Sequence, residues 1–213
     1  MNAPADYYNR YWETGRHGGL IQGYYPGLLK WLDGKLPQTQ THGTILEAGC
    51  GAAAFTPHLA KRAEYMQACD ISAKQIVKNS AAFPDIHFFT QDLGNPLACE
   101  NNSVDAVWCS EVLEHLFNPV FAINEFYRAL KPGGRLLVTV PYHGRFKNIL
   151  ISLFKWDEHF APDNPHIRFF TKKTISSIVH AAGFQNIQME TCGMGKPLRD
   201  CFVPTNLLLT AVK

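Results

Sequence analysis

Thr44-Ile45-Leu46-Glu47-Ala48-Gly49-Cys50-Gly51-Ala52-Ala53 runs from an apolar, β-prone segment straight into two glycines and then into small residues. The first five residues read as a strand. Glycine at 49 and 51 lets the backbone turn sharply and approach a ligand closely before a helix begins near Ala53. A tight strand-to-helix turn with no ligand would use the same residues, so the loop alone decides little. Two aspartates add to it. Asp70 ends a second strand about twenty residues on, where a carboxylate can accept both hydroxyls of a ribose. Asp92 follows a third strand, where an acidic side chain can accept from an adenine amino group. Each aspartate alone is an ordinary loop or cap residue; the three features at successive strand ends form a pattern.

Outward from the loop, short β-rich runs alternate with helical ones. Strands are predicted at 44–48, 65–69, 86–89, 104–109 and 135–140, the last launched by Lys131-Pro132-Gly133-Gly134. Helices are predicted at 53–62, 72–82 and 119–130, the last with Val120, Ile123, Phe126, Tyr127 and Leu130 at helical spacing. A helix over 171–182 ends at Gly183, a C-cap residue. Two strands, 184–191 and 207–212, then close the chain with no helix expected between them, and a short connection forces them antiparallel. The fold class is therefore α/β: a seven-stranded Rossmann-like sheet, mostly parallel, with a C-terminal antiparallel hairpin and helices on both faces.

The totals agree with one domain over 1–213. At 213 residues, 46% hydrophobic and 18% charged, the chain can bury a core of its own. A formal charge of +2 gives no general reason to expect nucleic acid. The six cysteines are scattered with no CxxC pair, as reduced thiols are. The first eleven residues hold no apolar signal core, and the longest apolar run, Ile149 to Phe154, is far too short to cross a bilayer. A cytoplasmic location is expected.

At this point the sequence resembles the class I S-adenosylmethionine methyltransferases. The matching pieces are Leu-Glu-Ala-Gly-Cys-Gly (46–51), Cys-Asp-Ile-Ser (69–72), Gln-Asp-Leu (91–93), Val-Asp-Ala-Val-Trp-Cys-Ser-Glu-Val-Leu-Glu-His (104–115) and Leu-Lys-Pro-Gly-Gly (130–134). They span roughly 42–192 in the family's order, and ubiquinone-biosynthesis O-methyltransferases are similar. The resemblance implies S-adenosylmethionine as cofactor and S-adenosylhomocysteine as product. It places Glu47, Gly49, Cys50 and Gly51 around the methionine portion, Asp70 on the ribose, and Ile71 and Ser72 beside the adenosine. Asp92 and Leu93 fall at the adenine edge, and Ser110 at the end of the fourth strand. A nicotinamide-binding oxidoreductase would instead want a third glycine where Ala54 stands.

Glu111, Glu114 and His115 follow the fourth strand at i, i+3 and i+4, which on a helix puts them on one face. Three readings stay open: Glu111 steadying a helix N-terminus while His115 packs on the cofactor; His115 with Glu111 as base or orienter in the substrate pocket; or a divalent cation on Glu111, Glu114, His115 and His166. The last is implied by small-RNA 2′-O-methyltransferases and some ubiquinone-type enzymes, which resemble this string. A divalent metal is not the favoured reading. Methyl transfer from a sulfonium is mostly alignment, and a base is needed only where the acceptor must lose a proton. His166 and His143, with His115 and Glu111, are the catalytic candidates.

Two segments lie outside the sheet pattern. Residues 1–40, with Tyr7, Tyr8, Tyr11, Trp12, Tyr24 and Tyr25, are expected to form a helical lid over the cofactor site. Residues 141–170 are expected as a cap over the acceptor site, with the apolar run 149–156 forming a buried helix; the sharper alternative is a lip for a hydrophobic acceptor or a weak membrane-surface contact. The expected function is methyl transfer from S-adenosylmethionine to an oxygen, before a nitrogen or sulfur, of a small molecule that can be hydrophobic. An RNA 2′-O-methyltransferase and a non-catalytic binder of S-adenosylmethionine are the alternatives.

Overall fold

A computed structural model describes residues 3–13, 18–162 and 164–213. Residues 1, 2, 14–17 and 163, which fall in the expected lid and cap, lie outside the described residues. The chain runs α1 (Ala3–Tyr11), α2 (Gly18–Lys35), β1 (Thr44–Ala48), α3 (Thr56–Ala60), β2 (Tyr65–Asp70), α4 (Ala73–Ala82), β3 (His87–Thr90) and β4 (Val104–Ser110). There follow α5 (Pro119–Ala129), β5 (Leu130–Pro141), α6 (Arg145–Phe154), α7 (Trp156–His159), α8 (Lys172–Ala181), β6 (Gln185–Cys192), α9 (Pro197–Phe202) and β7 (Asn206–Val212).

The strands form one sheet in the order β3-β2-β1-β4-β5-β7-β6. Pairing is parallel from β3 through β5, and β7 is antiparallel to both neighbours. The central strands are apolar on both faces because both faces are covered. Adjacent residues point to opposite sides. Leu46, Val107 and Val138 meet Ile123 and Phe126 of α5 and Ile175 and Val179 of α8. Ile45, Trp108 and Leu137 meet Leu28 and Leu32 of α2 and Leu59 of α3. Edge strand β6 buries little, which explains its polar sequence.

Local signals account for the boundaries. Ser72 caps α4 by accepting from Gln75 N, Asn118 caps α5 from Phe121 N, and Thr171 closes a capping box on α8. Gly183, at φ 106°, ends α8 as expected. Three expectations need correction. The helix after the glycine loop is only 56–60, because Ala53 at φ 60° prolongs the loop. Lys131–Gly134 is absorbed within β5, where the register against β4 jumps from Val104↔Leu130 to Ala106↔Arg135. A helix does lie between the last two strands: α9, with Pro197 in its first turn, where the missing N–H costs nothing.

Phe126 is fully buried between sheet and helices. Phe126→Ala should destabilise by about 3–5 kcal/mol, a Tm loss of about 2–4 °C per kcal/mol at this chain length. Val77→Ala on α4, where the side chain is 70% exposed, should stay within about 0.5 kcal/mol.

Candidate active site at the carboxyl edge of the sheet

The parallel strands end together at Ala48, Asp70, Thr90 and Ser110, the edge at which open α/β sheets bind ligands. Gly49 (φ 81°) and Gly51 (φ 48°) occupy left-handed backbone. A Cβ on either would collide, with Val112 and the Trp12 ring respectively. Gly49 N and Cys50 N both donate to Cys69 O at 2.8 Å. Gly51 N donates to Asp70 Oδ2 and Ser72 N to Oδ1, each at 2.9 Å. Asp70 thus ties three segments together while only 8% exposed. Burial raises its pKa and these amide bonds pull it back. Each oxygen has taken one donor, so lone pairs remain for a diol. Asn79 Nδ2 donates to Gly51 O at 2.8 Å. Among the other expected cofactor residues, Ser72 is fully buried and Ile71 half-buried. Asp92 Oδ1 accepts from Gly94 N at 2.8 Å and Leu93 is buried beside it. Burial keeps the Cys50 thiol protonated.

Glu47 lies beneath this loop, accepting from Thr56 Oγ1 at 2.5 Å, and burial pushes its carboxyl up to about 8. Helix α1 lies against the loop from outside. Ser72 Oγ donates to Asn9 Oδ1 at 2.7 Å, Lys74 pairs with Glu13 at 2.7 Å, and the Tyr8 ring sits 6.0 Å from that of His115.

The shared helix face expected for 111–115 is not formed. Glu111 adopts φ 55°, and only Leu113–His115 make a turn of 3-10 helix. Glu111 N still pairs with Thr139 O (2.9 Å), so this residue extends the strand while its neighbours leave it. Its carboxylate accepts from Thr139 Oγ1 at 2.8 Å, and Ser110 Oγ lies 2.7 Å from the same hydroxyl. The buried Asn206 amide makes no hydrogen bond of ordinary geometry but faces the Glu111 carboxylate and draws its pKa down against burial. Left-handed backbone on a non-glycine residue costs energy, and such strain gathers at functional sites.

Glu114 and His115 turn the other way, toward His166. One ligating atom from each of the three lies within 4.8 Å of the others. Both Glu114 oxygens are buried without a hydrogen bond. Burial, and then the Glu111 charge, push its carboxyl well above the usual range. His115 Nδ1 sits 3.0 Å from Pro165 O, an acceptor, which assigns the proton to Nδ1. Burial keeps this ring neutral, so the Nε2 lone pair faces Glu114 Oε1 at 3.8 Å. Two acceptors pointing at each other require a proton or a cation between them. The His166 ring is 4.9 Å from that of His115, and burial lowers its pKa to about 4. His143, buried at the end of β5, is likewise lowered to about 4 by burial, and its Nδ1 lies 3.1 Å from Asn148 Oδ1. The structure pairs His143 with His159 (5.1 Å) and His166 with His115, not the two preferred histidines with each other.

Thr139 and Lys147 escaped the sequence reading, and Tyr24 was expected only as part of the lid. Thr139, a lone polar residue within Leu136–Val140, was the readable signal for the Glu111 contact. Tyr24 is buried where Glu111 and Glu114 add to the effect of burial on its phenol. Lys147 on α6 carried no motif. The buried cap helix expected at 149–156 is also corrected. On α6 only Ile151 is buried, while Ile149, Leu153 and Phe154 are 56%, 67% and 74% exposed. Among the described residues, no helix is long and apolar enough to cross a membrane.

A parallel sheet closed by antiparallel β7, a two-glycine loop after β1 and an inward-held aspartate ending β2 define the class of S-adenosylmethionine-dependent methyltransferase domains. Residues 22–189 match the family model described as "Methyltransferase domain", and the chain belongs to that family, whose cofactor is S-adenosylmethionine. It is 26% identical over 136 residues to the ubiquinone biosynthesis O-methyltransferase of Xanthomonas oryzae, covering 62% of this chain and 56% of that protein. A probable S-adenosylmethionine-dependent methyltransferase of Mycobacterium tuberculosis is 28% identical over 159 residues, 73% of this chain and 54% of the relative. The chain therefore spans about half the length of these curated relatives. An S-adenosylmethionine-dependent methyltransferase of Thermotoga maritima, described as a possible histamine N-methyltransferase, superposes with a TM-score of 0.73 at 17% identity, over 97% of this chain and 98% of that one.

A carboxyl held at about 8 against an ordinary 4.5 favours folding while protonated. That contribution is lost as pH rises between those values. The Tm of the wild type relative to Glu47→Gln should therefore fall steadily from about pH 5 to 8 and then level off, as read by thermal unfolding.

Proposed function

We propose that this domain transfers the methyl group of S-adenosylmethionine to a hydroxyl oxygen of a small, partly apolar molecule. The observation that carries the reading is the Asp70 carboxylate, fixed under the glycine loop with lone pairs free for a ribose. Glu47, Gly49, Cys50 and Gly51 would border the methionine portion, Ile71 and Ser72 the adenosine, Asp92 and Leu93 the adenine, and Ser110 the floor. Helix α1, through Asn9, and Trp12 just beyond its end would act as the lid. Buried carboxyl groups at 47 and 114, which pair with no lysine or arginine among the described residues, suit a ligand that arrives with a sulfonium charge. Oxygen as acceptor is supported by the ubiquinone-type relative.

The protein's part in the transfer is positional: the loop fixes the donor and the groups beyond β4 and β5 present the acceptor in line. His143 and His166, held near 4, are weak bases at neutral pH; either would accept a hydrogen bond from the acceptor hydroxyl and take its proton as the O–CH3 bond forms and the S–CH3 bond breaks. A second reading is favoured by the unpartnered Glu114 carboxylate facing the His115 lone pair. Glu114, His115 and His166 would hold a divalent cation such as Mn²⁺ or Zn²⁺, with Glu111 outside the set. Such an ion supplies Lewis acidity that eases loss of a hydroxyl proton. The Nδ1 contact of His115 to Pro165 O is the outer-shell bond that orients a ligating imidazole.

Calorimetry with S-adenosylhomocysteine should show binding that Asp70→Asn weakens about 10- to 100-fold, the worth of hydrogen bonds to a charged group; undiminished affinity in that variant refutes the site. For the cation, titrating Mn²⁺ or Zn²⁺ should raise the wild-type Tm, with the rise abolished in Glu114→Gln and His166→Ala. A wild type indifferent to both ions ends the second reading and leaves the first intact.

A further inference from the structure

The cap holds an open groove of about 420 Å³ between α6, α7 and the chain following α9, a size typical of small-molecule sites. Its walls include Leu150, Ile151, Phe154 and Val203, with Lys147 and His159 among them. Lys147 is half-buried and makes no hydrogen bond or ion pair among the described residues. The other cations nearby are already engaged: Lys155 with Glu158, and Arg199 with Asp200 at 3.2 Å. Of the charged groups that act on Lys147, Glu111 is tied to Thr139 inside the core and Arg199 repels it. Burial lowers the Lys147 pKa, and the attraction of Glu111, which makes no ion pair with it, offsets this only in part. Such an arrangement is unfavourable unless something of opposite charge visits it.

The groove has a direction. At its inner end His159 meets His143 (ring centroids 5.1 Å), which follows β5 at the reacting edge. Of the residues of α6 that line it, Phe154 is itself 74% exposed and carries the apolar wall out to the surface, while exposed Ile149 and Leu153 lie on other faces of the helix. A cation inside an apolar cleft, with hydrocarbon surface leading away from it, matches a molecule that has one charged end and one greasy end. A flat anionic membrane would instead be served by cations around the rim, and Lys147 lines the interior.

Resting on the reading of the sheet edge as the site of transfer, we propose that this groove seats an amphipathic acceptor: an anionic carboxylate or phosphate group on Lys147, with its apolar chain running between Leu150, Phe154 and Val203 toward the exposed face of α6. Lys147 is then a specificity residue. It selects the acceptor by charge and takes no part in holding the methyl donor.

The test uses three probes with the full chain, with and without S-adenosylhomocysteine: dodecyl phosphate below its micelle concentration, dodecanol and inorganic phosphate. Dodecyl phosphate should bind at least about ten-fold more tightly than either other probe, the scale of one charge-assisted contact. Lys147→Met should bring it down to the dodecanol level, Lys147→Arg should keep the preference, and Phe154→Asp should weaken both chain-bearing probes. S-adenosylhomocysteine affinity should be unchanged in all three variants, which separates a failed groove from a failed cofactor site. Equal affinity of the wild type for dodecyl phosphate and dodecanol overturns the proposal without recourse to any variant. So does a preference that survives Lys147→Met, or binding to phosphatidylglycerol vesicles with none to monomeric dodecyl phosphate.

Discussion

The two bonds that Asp70 accepts, from Gly51 N and Ser72 N, hold the working edge of this domain in place. A strand end, a left-handed loop and a helix N-terminus meet at one carboxylate. Each brings unsatisfied backbone N–H groups that would be costly to bury alone. Because the aspartate is 8% exposed, its charge is compensated by those amides and not by water. The same bonds fix the glycine loop where Val112 and Trp12 stand too close to leave room for a Cβ. The other features of the edge are arranged around this anchor, including the placement of α1 through Ser72 and Asn9.

Electrostatics at the edge are lopsided. Carboxyls at 47 and 114, buried, and at 111, half-buried, are all raised, while the imidazoles at 115, 143 and 166 are all pushed toward their neutral forms. Burial is the leading cause in every case, so the pattern belongs to the fold and not to one ion pair. Charge of either sign at this edge is therefore penalised unless a ligand brings its complement.

Most of the scaffold was legible because its signals are local. Apolar runs of strand length, capping residues at 72 and 171, Gly183 and the glycines at 49 and 51 each act within a few residues. The misreadings came where a local rule met a distant partner. The i, i+3, i+4 spacing of Glu111, Glu114 and His115 suggested a helix, yet Glu111 N is claimed by Thr139 O, 28 residues on, and the backbone turns left-handed to release the next residues. The apolar run at 149–156 suggested burial, because periodicity shows that a helix has an apolar face but not whether anything covers it.

By itself, then, the sequence determined the alternation of strands and helices, the glycine loop, and which carboxylates terminate which strands. These follow from backbone sterics and side-chain periodicity, which need no knowledge of the far side of the molecule. Tertiary structure alone decided that Glu111 belongs with Thr139 while Glu114 and His115 belong with His166. It also decided that Lys147 points into a cleft and that the outer face of α6 stays bare. Those outcomes depend on which surfaces the sheet order brings together, and on how much water is left once it has done so.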